Sequence, residues 1–357
     1  MLDNIKLVFK DKTLVEEWLN VNSYKFSAVQ RKHITTNEKE YNGNKFIDRW
    51  MNIPRVNPAL RAFQERFIKQ KNETFTTYPI ITKTENLILK VTDKMAVLEG
   101  SIHKYYNYLQ YNDLSKRNKE HDNDYKHLQD NNYSDFYHVQ NLHALEMIKE
   151  FFAGLDLNNA TITELEFGFN INVEKDPDYY IDYNFLLYDY KAPIHNYHNT
   201  DTCYVKFSHN KFGFKVYSKK KQKSLRNNIM RVEIVLKSHH LKELGINQFD
   251  DLSSHGCMEK LYAFFCEKMD SFILTDNRHQ RQDLAESIKH EIGNYLEPSF
   301  WRNLTGKSNL NRIKQKFQKL LVDNNMLQTK AYLKNLLDRK YEQLFCGVVD
   351  DNVQELE

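Results

Sequence analysis

Residues 161–173 read Thr161-Ile162-Thr163-Glu164-Leu165-Glu166-Phe167-Gly168-Phe169-Asn170-Ile171-Asn172-Val173. Leu165, Phe167, Phe169, Ile171 and Val173 take every second place, with Glu164, Glu166, Gly168, Asn170 and Asn172 between them. Successive side chains of an extended chain point to opposite faces. A period of two sustained over this length therefore predicts a strand with one apolar and one polar face. Asp176-Pro177-Asp178 ends it.

The same alternation returns downstream. Residues 213–219 place Phe214 and Val216 on one side and Lys215, Tyr217 and Lys219 on the other. Residues 229–237 place Met230, Val232, Ile234 and Leu236 inward, with Arg231, Glu233, Val235 and Lys237 opposite. Residues 203–207 are also strand-like, while the polar stretch 195–201 reads as a loop.

Outside this group, residues 5–9 read as a strand and 14–19 as part of a short helix. Residues 76–81, 86–91 and 95–102 read as a meander. The polar stretch 116–135 reads as a surface loop. Residues 136–155 carry a helical stripe of Leu142, Leu145, Ile148, Phe152 and Leu155. Residues 257–273 and 280–295 read as helices. After Pro298, Ser308 and Thr329 are placed to cap two more helices, running to about residues 323 and 345. The expected fold is α+β, an antiparallel sheet with helices packed on one face plus a helical C-terminal region. Residues 1–295 would form the main domain, with 1–110 a candidate subdomain, and 296–357 a basic helical unit.

Composition narrows the function classes. With 357 residues the chain has room for about two domains. An apolar fraction of 41% supports a core, and 10 Gly and 6 Pro exclude collagen-like or linker-dominated architecture. No apolar run of about 18 residues exists to span a membrane, and the N-terminus is too short and too charged for a signal peptide. The four cysteines form no Cys-x-x-Cys, which favours a reducing cytosol. The net charge is only +3, yet residues 206–237 hold ten basic residues and one acidic residue, Glu233. Residues 301–340 hold another ten basic residues against Asp323 and Asp338. Two such blocks read as the footprint of a polyanion.

Familiar catalytic motifs are missing. Gly306-Lys307-Ser308 lacks the preceding glycine and strand of a phosphate loop, and no His-Glu-x-x-His or Gly-x-Gly-x-x-Gly occurs. His195-x-x-His198 and His239-His240 read as solvated or capping residues. What remains is the polar face of the three alternating strands. If these strands are neighbours, Glu164, Glu166, Glu233, Lys215, Tyr217, Lys219 and Arg231 gather on one surface, since residues two apart on a strand lie about 6.6 Å apart and point the same way. Carboxylates suit a hard divalent ion, Mg²⁺ or Mn²⁺. A tyrosine beside such an ion is a candidate nucleophile toward a phosphodiester. Taken singly, each residue reads as part of a solvated sheet face; the combination carries the chemistry.

The order of these blocks resembles the gene-II-type replication initiators of filamentous phages and related phage and plasmid replication proteins. The resemblance rests on 159–166, ending in Glu164-Leu165-Glu166, on Phe214-Lys215-Val216-Tyr217-Ser218-Lys219, and on Met230-Arg231-Val232-Glu233-Ile234-Val235-Leu236-Lys237 with the following Leu241-Lys242-Glu243-Leu244-Gly245. Gly100-Ser101-Ile102-His103-Lys104-Tyr105-Tyr106-Asn107 and Phe300-Trp301-Arg302 are similar to flanking blocks. The family is distantly related in architecture to the His-hydrophobic-His endonucleases, whose histidine pair this chain lacks.

The resemblance implies a rolling-circle initiator that nicks one strand of origin DNA in a bacterial host cytosol. Tyr217 would attack the phosphodiester and keep the 5′ phosphate, leaving a 3′ hydroxyl for a host polymerase, with a separate host helicase. Glu166 and Glu233 would be the metal ligands. Glu164 joins them less firmly, because that position is often basic in the family. Lys219 would contact phosphate. Lys215, Lys220, Lys221, Arg231, Arg312 and Lys316 would bind DNA, and Lys215, Lys219 and the metal would favour the tyrosine phenolate. A relaxase or single-strand transposase with the same chemistry, a non-catalytic sequence-specific DNA-binding protein and a structural or virion protein are the other readings.

Overall fold

A computed structural model describes residues 1–28, 80–84, 86–92, 94–117, 134–304 and 307–347. The alternating segment is the longest strand in it. Strands are numbered along the chain: β1 Leu2–Phe9, β2 Ser27–Ala28, β3 Ile80–Thr84, β4 Leu87–Val91, β5 Ala96–Ser101, β6 Ala160–Asn172, β7 Leu187–Tyr188, β8 His195–His198, β9 Cys203–Ser208, β10 Phe212–Ser218, β11 Ile229–Lys237 and β12 Phe272–Ile273. Ten of them form one sheet in the order β2-β3-β4-β5-β1-β6-β11-β10-β9-β8. Every pairing in it is antiparallel. β7 and β12 pair separately. The fold is α+β, with helices against one face of the sheet and a helical C-terminal region. No described helix is long and apolar enough to cross a membrane.

The three alternating strands are consecutive neighbours, β6-β11-β10. Phe167, Phe169, Phe214, Val216, Val232 and Ile234 are fully buried on their apolar face. Phe265 of the helix Cys257–Met269 meets Phe167 and Phe169 edge-on, with ring centroids 6.2 and 5.4 Å apart. Each such ring contributes roughly 1.5–3 kcal/mol by leaving water. Gly168 pairs with Glu233, and a Cβ there would lie 2.5 Å from both the Glu233 Cβ and the Val232 carbonyl oxygen. Glycine is what lets β11 carry Glu233 this close to β6.

Several boundaries differ from expectation, each for a local reason. Residues 195–198 are not a loop but β8, the edge strand, held by pairing with β9. β10 stops at Ser218, whose hydroxyl accepts from the Lys221 N–H at 3.2 Å, so Lys219 opens the helix Lys219–Lys223 instead of ending the strand. Ser101 likewise caps the helix Ile102–Arg117, which carries no clean apolar stripe and was not expected. The helix His138–Phe151 is shorter than predicted, although Phe152 and Leu155 beyond it are buried. The helix from Cys257 ends at Met269, because Phe272 and Ile273 pair with β7. The next helix, Glu286–Leu296, starts late, after a 3₁₀ turn at Arg278–Gln280. Of the expected meander, residues 76–79 lie outside the described residues, as do 118–133 of the expected loop.

The expected division at residue 296 cuts through a hydrophobic cluster. Leu284, Ile292 and Tyr295 pack with Leu296, Trp301, Phe317, Leu321 and Met326 across it. The helices Pro298–Arg302 and Lys307–Asp323 belong to this smaller core, and Ser308 lies inside the second of them. The last helix, Gln328–Cys346, returns to the main core through Leu333, Leu337 and Leu344. Its start is held by Asp276, which accepts from the Thr329 N–H at 2.7 Å, rather than by the Thr329 side chain.

Candidate active site

Register builds the site. Lys215 of β10 faces Glu233 of β11, which faces Gly168 of β6. One step along, Tyr217 faces Arg231, which faces Asn170. Facing residues of an antiparallel pair share one side of the sheet, so both rows lie on the polar face. The rows continue outward, Tyr217 to Tyr204 to Tyr197 and Lys215 to Lys206 to His195. On the other flank β1 is irregular. Leu2 pairs with Phe167 and Ile5 with Leu165, so Asp3 and Asn4 together oppose Glu166. Such a bulge re-aims side chains, and here both turn toward the rows.

The groups then converge. The Tyr217 hydroxyl donates to Glu233 Oε2 at 3.2 Å. Arg231 Nε donates to the same oxygen at 2.6 Å. The Arg231 Nη1 donates to Asp135 Oδ1 at 3.1 Å and Nη2 to Asp3 Oδ2 at 3.1 Å. Lys215 Nζ lies 3.0 Å from Glu233 Oε1 and also donates to Glu166, which accepts from the Asn4 amide as well. Asp135 in turn accepts from the Asn170 backbone N–H at 2.6 Å. A groove of about 440 Å³ opens over this face, lined by Tyr197, Tyr204, Lys215, Tyr217, Gln222 and Glu233 among others.

Burial governs the protonation states. It raises the Tyr217 phenol well above its ordinary value, and the Glu233 charge adds to this against the opposition of Arg231. The expected phenolate is therefore not favoured by the chain's own groups. Lys215 is engaged by two carboxylates, and Lys219 is itself lowered to about 8 by burial and by Arg231. Burial and the Glu233 charge raise Glu166 despite Lys215. Burial also works against the Glu233 carboxylate, but Arg231 and Lys215 outweigh it and hold that group below the usual range.

Of the sequence-derived residues, Glu166, Glu233, Lys215, Tyr217 and Arg231 come together. Lys219 joins from its helix, with Nζ 5.2 Å from the Tyr217 ring centroid. Glu164 does not join: it pairs with Lys6 and Lys237, at the far end of β6. Arg231 is 4% exposed with its guanidinium donating to Glu233, Asp135, Asn170 and Asp3, so it organises the site instead of meeting DNA. Lys220 is held by Asp176 at 2.6 Å and Lys221 by Asp178 at 2.5 Å. Arg312 and Lys316 are exposed on the helix Lys307–Asp323, with Lys316 2.7 Å from Glu291.

Sequence reasoning missed Asp3, Asn4 and Asp135. Asp3 matters most, because Asp3, Glu166 and Glu233 each offer an oxygen within 4.8 Å of the others. Three carboxylates at that separation fit a hard divalent cation, and these residues would hold Mg²⁺ or Mn²⁺. The sequence did carry one signal, an acidic residue in the β1 segment, but alternation breaks at the bulge. Comparison of the chain with protein-family models, with curated proteins and with solved structures finds no match.

Proposed function

We propose that the chain nicks and rejoins DNA through a tyrosine nucleophile, as a rolling-circle replication initiator does. The observation that carries the reading is the Tyr217 hydroxyl, 3.2 Å from Glu233, inside a three-carboxylate cluster at a groove. Tyr217 Oη attacks the phosphorus, the bond from phosphorus to the 3′ oxygen breaks, the 3′ oxygen takes a proton from solvent and leaves as a hydroxyl, and the 5′ phosphate stays on the tyrosine. Glu233, which accepts the Tyr217 hydrogen bond, is the nearest base for the departing phenolic proton. Lys219 places a cation beside the Tyr217 ring for the phosphate. Asp3, Glu166 and Glu233 would hold a divalent ion, which would supply charge neutralisation for the phosphoryl group. The phosphotyrosine conserves the bond energy, so the same site rejoins ends without ATP. Origin DNA is the substrate, and a host helicase and polymerase are the partners this chemistry calls for.

One observation favours a second reading. Lys215 already bridges Glu166 and Glu233, so the cluster stands as a closed ion network. A DNA-binding protein without cleavage would need no more. Labelled single-stranded fragments of the parent replicon separate the two. The proposal expects a covalent protein–DNA adduct with Mn²⁺ and none in EDTA. The second reading expects DNA binding, unaffected by EDTA, and no adduct in either.

A further inference from the structure

The helix-covered face of the sheet carries a second chemical cluster. β8 and β9 form a hairpin with His198 directly opposite Cys203. Its turn is set by Asn199, whose Oδ1 accepts from the N–H groups of Asp201 at 3.0 Å and Thr202 at 2.8 Å. Alternation along β9 sends Cys203 inward with Val205 and Phe207, away from Tyr204. The helix Pro177–Tyr183 packs against β9 and β10. Asp178 and Asp182 are four residues apart on it and share one side. They meet the hairpin. His198 Nδ1 is 3.0 Å from Asp182 Oδ2 and 3.5 Å from Cys203 Sγ, and His198 Nε2 is 3.9 Å from Asp178 Oδ2.

Donor atoms of Asp178, His198 and Cys203 all lie within 4.8 Å of one another. Asp178 Oδ1 is shut off from solvent without a hydrogen-bond partner among the described residues. We propose that Asp178, His198 and Cys203, with Asp182 orienting the His198 ring, bind a zinc-class transition-metal ion that ties the β8–β9 hairpin to the helix. The donor set selects the ion: a thiolate and an imidazole suit Zn²⁺ and its neighbours, whereas Mg²⁺ and Ca²⁺ take oxygen. Two ligands from the hairpin and Asp178 from the helix supply three of the four positions of a zinc site, leaving the fourth to water, while Asp182 holds the His198 ring. Metal–ligand bonds of about 2.0–2.3 Å put tetrahedral ligands about 3.3–3.8 Å apart, close to the separations around His198.

On binding, the Cys203 thiol loses its proton to solvent and the sulfur bonds the metal, with no change of oxidation state. Lys221 Nζ lies 2.5 Å from Asp178 Oδ2 and 3.4 Å from His198 Nε2. Its ammonium supplies the positive charge that the ion brings, so the lysine competes with the metal for Asp178. This site does not rest on the nicking proposal, since it shares no donor with Asp3, Glu166 and Glu233 and adds a thiol and an imidazole, although Cys203 also borders the groove.

Cobalt titration of the chelator-stripped full chain tests it. The expected result is a thiolate-to-cobalt charge-transfer band with tetrahedral d–d bands, bleached by one equivalent of Zn²⁺. Cys203→Ser should lose the charge-transfer band, and Lys221→Gln should bind cobalt more tightly. If Cys203→Ser does not fold by circular dichroism, His198→Gln, altered at a half-exposed side chain, should show weakened cobalt binding. A folded parent chain with no charge-transfer band at saturating cobalt overturns the proposal. So does a band that survives Cys203→Ser, or a Lys221→Gln variant that binds cobalt more weakly than the parent.

Discussion

The two faces of β6, β11 and β10 are built from the same three strands by opposite means. One face holds Phe167, Phe169, Phe214, Val216, Val232 and Ile234 under the helices. Its stabilisation is spread over many contacts, none of which depends on the state of a proton. The other face holds Glu166, Glu233, Arg231 and Lys215 with Asp3 and Asp135. There each charge is tolerable only while its partners remain. Buried ion networks contribute little net stability over an apolar replacement, but breaking one leaves a stranded charge. A face of that kind is kept inside a sheet that the hydrophobic face already stabilises.

The largest effects should come from the centre of each face. Arg231→Leu strands Asp3, Asp135 and Glu233 and should cost about 3–5 kcal/mol at pH 7. Phe169→Ala should cost a similar amount, about 3–5 kcal/mol, by leaving a cavity. Denaturant melts at several pH values separate them. The Arg231→Leu deficit should shrink toward pH 4 as the carboxylates take up protons, while the Phe169→Ala deficit should not change. Equal pH behaviour would erase the distinction between the faces.

Gly168→Ala tests the contact between β6 and β11. Its methyl would meet Glu233 Cβ and Val232 O at 2.5 Å, so a loss of about 1–3 kcal/mol is expected. A thermal melt unchanged from the parent would show that the strands separate without cost.

Acid titration gives a smaller effect. Burial raises the Asp3 carboxyl, but Arg231 and the Ser101 hydroxyl outweigh it and lower the group from 3.8 to about 2. A carboxyl lowered in the folded state stabilises fully above its unfolded pKa and loses that contribution as pH falls. Asp3 should therefore contribute about 2 kcal/mol above pH 4, lost between 3.8 and about 2. Stability measured against pH should flatten in that window for Asp3→Asn. An unaltered acid limb would remove Asp3 from the network.

Much of this was legible. Alternation in 161–173, 213–219 and 229–237 gave three strands and the residues on their polar faces, Glu166, Glu233, Lys215 and Tyr217 among them, but their adjacency as β6-β11-β10 came only from the structure. What stayed hidden depends on long-range geometry. Asp3 enters through a bulge that no periodicity marks, and Asp135 comes from a stretch whose polarity reads as surface. The charge of Arg231 gave no warning that partners 96 and 228 residues away would bury it. The helix Gln328–Cys346 looked like part of a separate basic unit, because its return to the sheet through Leu333 and Leu337 is a tertiary event.

The account turns on Tyr217 as the covalent nucleophile, with Tyr204, its cross-strand neighbour, as the rival. The direct measurement is peptide mapping of the adduct formed with single-stranded replicon DNA and Mn²⁺, on the parent chain, Tyr217→Phe and Tyr204→Phe. The account predicts phosphotyrosine at Tyr217 in the parent and in Tyr204→Phe. It predicts no adduct from a Tyr217→Phe protein that still binds DNA and unfolds within about 1 kcal/mol of the parent, since only one hydrogen bond is removed. A phosphotyrosine mapped to any other position, an adduct through serine, or full adduct yield from Tyr217→Phe would contradict it.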